Sequence, residues 1–149
     1  MPSTAVEHRA ALLQSLALLG CGVAVYLALY QYGVVAIVWE PLFHNGSRVV
    51  LRSGFARFLP VRDAALGAVG YLAEAVCVSV GWRRRRWVGR VYGTIVVAFA
   101  AGSVGLVIMQ GWYFHAWCTL CLASALISWT IGGVAASEWH QHRRQPRHY

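Results

Sequence analysis

The sequence predicts an all-α membrane protein, a bundle of four transmembrane helices, and three observations support this. Hydrophobic residues make up 58% of the chain and charged residues only 12%, about half the charged share of a soluble domain. Four apolar runs each reach the roughly 20 residues that a bilayer-spanning helix needs. Almost no polar stripe of helical period interrupts them, although a soluble bundle would need one. Helices are favoured over strands because a helix pairs its own backbone groups in lipid.

The predicted spans follow one another with short connections, and the whole chain is expected to form one domain, 1–149. The first span is long enough to tilt or to protrude from the membrane. A polar, arginine-rich tail is predicted at 141–149. The four spans run from about 10 to 39, 60 to 82, 91 to 112 and 117 to 139.

The positive charge sets the expected orientation and partners. The net charge is +8, and all basic residues are arginines, mainly in the gaps between apolar runs. A nucleic-acid partner is not expected, because a basic binding face needs a soluble core; the expected partner of these surfaces is membrane lipid. The side with both termini and the second–third connection carries nine of the 13 basic residues. This excess places the termini in the cytoplasm.

The outer connection between the first and second spans is predicted to contain a short amphipathic half-helix. Leu51, Phe55 and Phe58 share one helical face, and the arginines of this segment lie mostly off that face. Such a helix would lie on the outer membrane surface and cap the bundle. A plain surface loop is the alternative.

The fourth span opens with Cys118-Thr119-Leu120-Cys121. Cysteines at i and i+3 lie on one helical face, which keeps their Cα atoms within the roughly 4.4–6.8 Å that a disulfide requires. The positive end of the helix dipole favours a thiolate there, and the outer side is oxidising. Three interpretations remain open: a redox pair, two small buried packing residues, or a metal site with nearby His115, which would need further ligands.

The other two cysteines are expected to be packing residues. From the predicted span ends, Cys21 and Cys77 both lie in the cytoplasmic half, too deep to form a relay with the C-x-x-C pair. They could neighbour each other there.

Small and polar residues form a stripe along the second span. It is expected to face the bundle interior, because a charged group in lipid is costly. Asp63 either caps the helix or serves a site, and Glu74 is either a proton relay or an interhelical hydrogen-bonding group. The stripe consists of Asp63, Gly67, Gly70, Glu74 and Cys77.

A matching face runs down the fourth span. Together the two faces would leave a narrow slot below the C-x-x-C pair, suited to a planar lipid-soluble ligand, and close helix packing is the alternative. This face consists of Cys118, Cys121, Ala125, Ser128 and Gly132.

At these residues the sequence resembles the vitamin K epoxide reductase family. Segment 117–125 looks like the family's active-site C-x-x-C, and 49–53 with 59–71 looks like its outer half-helix and the start of its second span. The similarity of layout covers nearly the whole chain. The resemblance implies a four-helix bundle around a quinone, in which the C-x-x-C passes electrons from thiols to that quinone.

The resemblance also implies roles for individual residues. Cys121 would face and attack the quinone, and Cys118 would exchange disulfides with the electron donor. Asp63 falls where the family has an amide that hydrogen-bonds the quinone, and Ser53 matches a serine of its half-helix. Gly67 and Ala125 are expected beside the quinone, of the ubiquinone or menaquinone class, with no metal. Ala125 replaces a tyrosine of human-type members, and Asp63 replaces an amide with an acid.

One departure from the family affects the electron route. The family normally carries two more cysteines in the outer loop, but 40–60 contains none, and Gly46 and Ser47 lie about where the second is expected. Either a partner's thiols reach Cys118 directly or the chain lacks the usual shuttle.

The function expected on these grounds is that of a bacterial inner-membrane thiol–quinone oxidoreductase. Its donor would be a thioredoxin-like protein on the outer face, and the arginine-only basic residues suggest a GC-rich bacterial genome. The alternatives are a non-catalytic accessory or ligand-binding subunit, and a metal transporter.

Overall fold

The computed structural model of the chain describes residues 2–39, 42, 46–52, 63–82 and 85–144. Every regular element in those ranges is helical, which confirms the all-α prediction. The elements are α1 (Pro2–Gln31), α2 (Gly46–Leu51), α3 (Asp63–Val80), α4 (Arg86–Met109), a π-helical turn (Gln110–Phe114) and α5 (Thr119–Arg144).

Within the described residues, four helical segments are long and apolar enough to cross a membrane, as the sequence predicts. The short helix α2 occupies the predicted outer connection between the first two spans. Phe55 and Phe58, the rest of its predicted apolar face, lie outside the described residues. The four segments are Glu7–Gln31, Asp63–Val80, Arg86–Phe114 and Thr119–Gln141.

Two helix ends differ from the prediction because of glycine geometry. The first helix runs from Pro2 to Gln31 rather than from about 10 to 39. Gly33 follows with φ of 80°, a left-handed conformation that commonly ends helices, and its N–H bonds to the Tyr30 carbonyl at 3.0 Å. Similarly, α3 ends at Val80, just before Gly81 with φ of 81°. Apolar residues continue past both glycines, so hydropathy alone overestimated these ends.

The other two spans are longer than predicted because their helices continue into polar residues beyond the apolar runs. Helix α4 begins at Arg86 instead of about 91 and continues through the π-helical turn to Phe114. Helix α5 extends to Arg144, into the segment predicted as a tail, and 145–149 lie outside the described residues. Arginines can continue a helix beyond the membrane, although they end an apolar run.

The four long helices form a ring in the order α1, α3, α4, α5. Helix α1 packs on α3 and α5, and α4 packs on the same two helices, so α3 and α5 face each other across the bundle. At one end, Arg9 donates to the Gln141 side chain at 3.1 Å and Trp82 stacks on Tyr92. We call this the termini end, and we call the opposite end, with α2 and Cys118, the thiol end.

In the part of the chain that the structure describes, two apolar clusters fill the bundle. The larger one, in the middle and at the termini end, includes Tyr71, Tyr92 and Ile131 from three different helices. The smaller one lies at the thiol end, and we call it the thiol-end cluster. It consists of Leu27, Ala28, Tyr30, Val38, Leu51 and Ala64.

The positions of Cys21 and Cys77 differ from the prediction. Cys21 lies ten residues before the end of α1, about 15 Å below it, and its sulfur contacts the Ala68 carbonyl at 3.6 Å. The nine residues from Ala68 to Cys77 on α3 span about 14 Å. Cys21 therefore lies near mid-bundle and well above Cys77, because α1 ends eight residues before Trp39. Both cysteines pack against the larger cluster, as expected for packing residues.

Candidate functional site

Cys118 and Cys121 lie at disulfide distance at the start of α5, with their Cα atoms 5.2 Å apart. The Cys118 carbonyl accepts the N–H of Leu122 at 3.0 Å, and its sulfur accepts the N–H of Cys121 at 3.2 Å. This is the geometry of an N-cap residue, whose side chain accepts an N–H that the helix leaves unpaired. The sulfur of Cys118 thus lies at the positive end of the α5 dipole, where a thiolate is stabilised.

Gln110 holds the backbone of Cys118 from below. Its side-chain oxygen accepts the Cys118 N–H at 3.1 Å, and its own carbonyl accepts the N–H of Ala116 at 3.2 Å. The Gln110 side chain is almost completely buried. Because a polar side chain inside a membrane bundle is costly unless it is bonded, Gln110 fixes the connection that leads into the C-x-x-C.

His115 lies on the connection between Gln110 and Cys118 and is exposed, with a left-handed φ of 44°. Within the described parts of the chain, no three His, Cys, Asp or Glu residues lie close enough to hold a metal ion. The geometry therefore gives no support to the metal alternative.

Helix α2 packs against the residue before Cys118. The first residue of α2, Gly46, lies directly against the backbone of Trp117, and a Cβ at this position would overlap the Trp117 carbonyl. Cys118 is 0% exposed. A protein thiol therefore cannot reach the Cys118 sulfur in this conformation, and the close approach to Trp117 requires glycine at position 46.

Cys121 is half-buried and packs against the thiol-end cluster. Buried polar atoms without a hydrogen-bond partner among the described residues lie at the same end: the Tyr30 hydroxyl, Gln31 Nε2 and the Thr119 hydroxyl. The other side-chain atom of Gln31, Oε1, accepts the Ala64 N–H at 3.4 Å. Buried polar groups are nearly always bonded, so these donors fit a ligand that has acceptor oxygens and an apolar body.

The remaining predicted site residues lie at different distances from the thiol-end cluster. Asp63 is half-buried in the first turn of α3, beside Ala64 of the thiol-end cluster. Ala125 is buried on α5, one turn beyond Cys121. Gly67 instead faces α1, since a Cβ there would lie 3.6 Å from that of Ala24. Ser53 lies outside the described residues.

Tyr71 closes the slot predicted between the two small-residue faces. Its hydroxyl lies 2.8 Å from the Ser124 carbonyl, 2.9 Å from the Ser124 hydroxyl and 2.7 Å from the Ser128 hydroxyl. The tyrosine thus crosses the bundle from α3 to α5, and the two faces do not meet directly. It forms a floor about one helical turn below Cys121.

Sequence reasoning missed four residues of this site: Tyr30, Gln31, Tyr71 and Gln110. The two glutamines carried a usable signal, because an amide inside an apolar span is costly in lipid and needs a reason to be there. The tyrosines carried none, since the chain has seven of them and tyrosines are common at membrane interfaces.

Comparison with known proteins agrees with the resemblance read from the sequence. A family model described as the Vitamin K epoxide reductase family matches residues 11–136, which include Cys118 and Cys121. A search of curated proteins finds no match. The general activity of the family is thiol–disulfide oxidoreduction in the membrane, and its members generally work with a quinone and thioredoxin-like partners.

Proposed function

Because the chain belongs to the vitamin K epoxide reductase family, we propose that it passes electrons from a thiol partner through Cys118 and Cys121 to a membrane quinone. The observation that carries this proposal is the cysteine pair at the start of α5, with one sulfur at the helix N-cap and the other residue packed against the thiol-end cluster. The N-cap position thus favours a thiolate at Cys118, and the apolar surroundings of Cys121 suit a lipid-soluble ring.

On the donor side, the steps are thiol–disulfide exchange. The partner's thiolate attacks the Cys118 sulfur, the bond between the two cysteines breaks, and Cys121 leaves as a thiolate. A second thiol of the partner then attacks the mixed disulfide and releases Cys118, stabilised by the Cys121 N–H and the helix dipole. The partner is now a disulfide, and the pair is a dithiol.

Exchange at Cys118 requires α2 to move, since Gly46 packs against Trp117 and Cys118 has no exposed surface. The absence of cysteines in 40–60 leaves no internal shuttle, so the partner's own thiols must enter the opened space. This makes α2 a cover over the donor-side sulfur.

On the acceptor side, the bound quinone supplies a two-electron, two-proton acceptor that returns the pair to the disulfide. The Tyr30 hydroxyl and Gln31 Nε2 would donate hydrogen bonds to its oxygens, and the thiol-end cluster would exclude water from its ring.

Asp63 takes the place of the family's amide and donates a hydrogen bond only in its protonated form. Ala125 leaves room where human-type members carry a tyrosine. A ubiquinone or menaquinone would bind beside the thiol-end cluster, with Ser53 as a further candidate contact, whereas Gly67 packs against Ala24 of α1.

The proposed location is the bacterial inner membrane, with the termini end in the cytoplasm. Nine of the 13 basic residues lie on that side by the span order, in agreement with the positive-inside rule. The thiol end then faces the periplasm, where a thioredoxin-like protein can dock.

The test is a trapping experiment. The partner is a thioredoxin that lacks its second active-site cysteine and carries thionitrobenzoate as a disulfide on the first. In Cys121→Ala, the Cys118 thiolate should attack this disulfide, release thionitrobenzoate and form a stable mixed disulfide with the thioredoxin, and the double variant with Cys118→Ala should form none. Cys77→Ala is the matched control and should behave as the wild type. If Cys121→Ala gives no adduct with thioredoxin-like partners, and the wild type reduces no quinone, the proposal is wrong.

A second candidate is a non-catalytic accessory subunit in which the pair is a structural disulfide. The complete burial of Cys118 and the missing loop cysteines favour it. It predicts a pair that keeps the same oxidation state when either thiols or quinone are added, whereas the oxidoreductase predicts a pair that responds to both.

A further inference from the structure

A second group of buried polar residues lies toward the termini end, away from the cysteine pair. Glu74 of α3, Tyr92 of α4 and Glu138 of α5 are 1%, 2% and 6% exposed. One oxygen of Glu74 and the Tyr92 hydroxyl have no hydrogen-bond partner among the described residues. Tyr92 packs in the larger cluster together with Ala75, which follows Glu74, and Ala135, which lies about one turn before Glu138. Three helices therefore bring ionisable groups together in the interior.

These residues connect to the floor of the candidate site. Tyr71 lies one helical turn before Glu74 on α3, and both are almost completely buried. The Tyr71 hydroxyl bonds to the hydroxyls of Ser128 and Ser124. Ser124 follows Cys121 by one turn of α5. The groups thus form a column, which we call the polar column, about 25 Å long from Glu138 to Cys121 at the helical rise. Its members are Glu138, Tyr92, Glu74, Tyr71, Ser128 and Ser124.

Every member of the polar column can both receive and release a proton. A hydroxyl accepts one hydrogen bond while donating another, and a protonated carboxyl does the same. No ion pair of Glu74 is found within the described ranges, and an isolated buried carboxylate is so costly that the group takes the neutral form. Glu74 therefore carries a proton in the bundle interior.

The column comes close to the protein surface at the termini end. An open groove of about 860 Å³ lies between α4 and α5. Its lining includes Tyr92 of the column and the exposed residues Arg90 and His140. Tyr92 therefore shares this groove with two exposed polar residues on the side opposite to the cysteine pair.

We propose that the polar column conducts protons from the termini side of the membrane to the quinone, a role that rests on the proposed function. At the thiol end, the partner's two thiols lose two electrons and release two protons to that side. The electrons reach the quinone through Cys118 and Cys121, and the quinone takes its two protons from the other side through Glu74. Each turnover then moves two positive charges across most of the membrane.

The test uses the full-length protein in phospholipid vesicles that contain a quinone. Reduced thioredoxin is added outside, so only molecules with an outward thiol end react, and a pH dye inside reports on the termini side. Valinomycin and potassium prevent a membrane potential from building up. The wild type should make the interior alkaline, with two protons consumed per quinone reduced.

Variants separate conduction from a packing role. Glu74→Gln keeps the shape but cannot release a proton, so it should abolish the internal pH change and slow quinone reduction, by about 10²-fold for a proton-transfer group. Glu7→Gln, at an exposed acid of α1, is the matched control and should leave both unchanged. Tyr92→Phe, which is close to isosteric, should also reduce the pH change if Glu74→Gln does not fold.

A second readout needs no quinone. In the quinone-free protein, infrared spectroscopy should show the carbonyl band of a protonated carboxyl that shifts in D₂O, that Glu74→Gln removes and that Glu7→Gln keeps. If the wild type reduces quinone without an internal pH change, the inference is overturned and the proposed function stands. If the wild type reduces no quinone with any thiol donor, both are overturned.

Discussion

The backbone N–H of Cys118 donates a hydrogen bond to the side-chain oxygen of Gln110 at 3.1 Å, across the connection between the last two spans. This bond joins the end of the third span to the first residue of the C-x-x-C. The position of the donor-side sulfur therefore depends on an amide eight residues away as well as on the helix that follows.

Replacing Gln110 with leucine should destabilise the protein by about 1–3 kcal/mol, the cost of leaving a buried donor unpaired. Thermal unfolding in detergent measures the change. Gln14→Leu is the matched control, because Gln14 is only partly buried and makes a long contact of 3.4 Å with Ser79. Its effect should stay within about 0.5 kcal/mol. Equal effects of the two variants would contradict the role given to Gln110.

The cover over Cys118 depends on the glycine at position 46. Gly46→Ala places a Cβ on the Trp117 carbonyl and should move α2 away, with each 1.4 kcal/mol of strain raising the open population about tenfold. The Cys118 thiol of the reduced protein should then react faster with a maleimide. Gly102→Ala has open space around its Cβ and should not change the rate. An unchanged rate in Gly46→Ala would mean that α2 does not cover the sulfur.

Two glycines of α1 should respond with opposite signs. A Cβ at Gly20 would lie 2.6 Å from the ring of Tyr71, so Gly20→Ala should cost about 1–3 kcal/mol by overpacking. A Cβ at Gly22 meets nothing within 4 Å, so Gly22→Ala should stabilise the helix by about 0.5–1 kcal/mol. Parallel melting curves test this. If Gly20→Ala stabilised the protein instead, the ring of Tyr71 could not lie against Gly20.

The hydroxyl of Tyr71 should stabilise the bundle by linking α3 to α5. Tyr71→Phe removes its contacts with Ser124 and Ser128 and should lower the free energy of unfolding by about 1–3 kcal/mol. Tyr113→Phe, at a residue that is 72% exposed, is the control and should have almost no effect. A Tyr71→Phe protein as stable as the wild type would contradict the bridge.

The sequence predicted the four spans, the half-helix and the C-x-x-C spacing because these depend on local properties. Hydropathy identifies a span, and the i, i+3 spacing of Cys118 and Cys121 decides whether the two can meet. Helix ends were less predictable, because Gly33 and Gly81 end helices by backbone conformation, whereas the apolar runs extend past these glycines to Trp39 and Trp82.

What the sequence could not predict depends on contacts between distant segments. The contact between Gly46 and the backbone of Trp117 joins two connections that are far apart in the chain. Gly67 faces Ala24 of α1 because of the order in which the helices pack around the ring. A stripe of small residues along one helix does not specify which neighbouring helix it will face. The column through Tyr92 and Glu138 likewise needs three helices in register, and only Glu74 among its ionisable members had a sequence signal.

The most direct test of the central claim follows the oxidation state of individual cysteines. The purified protein is reduced, freed of reductant, mixed with ubiquinone and labelled with a mass tag that reports the thiols that remain. The account predicts that Cys118 and Cys121 lose their thiols together, one pair per quinone reduced, while Cys21 and Cys77 stay labelled. A pair that remains fully reduced in excess quinone, or oxidation at Cys21 or Cys77 instead, would contradict it.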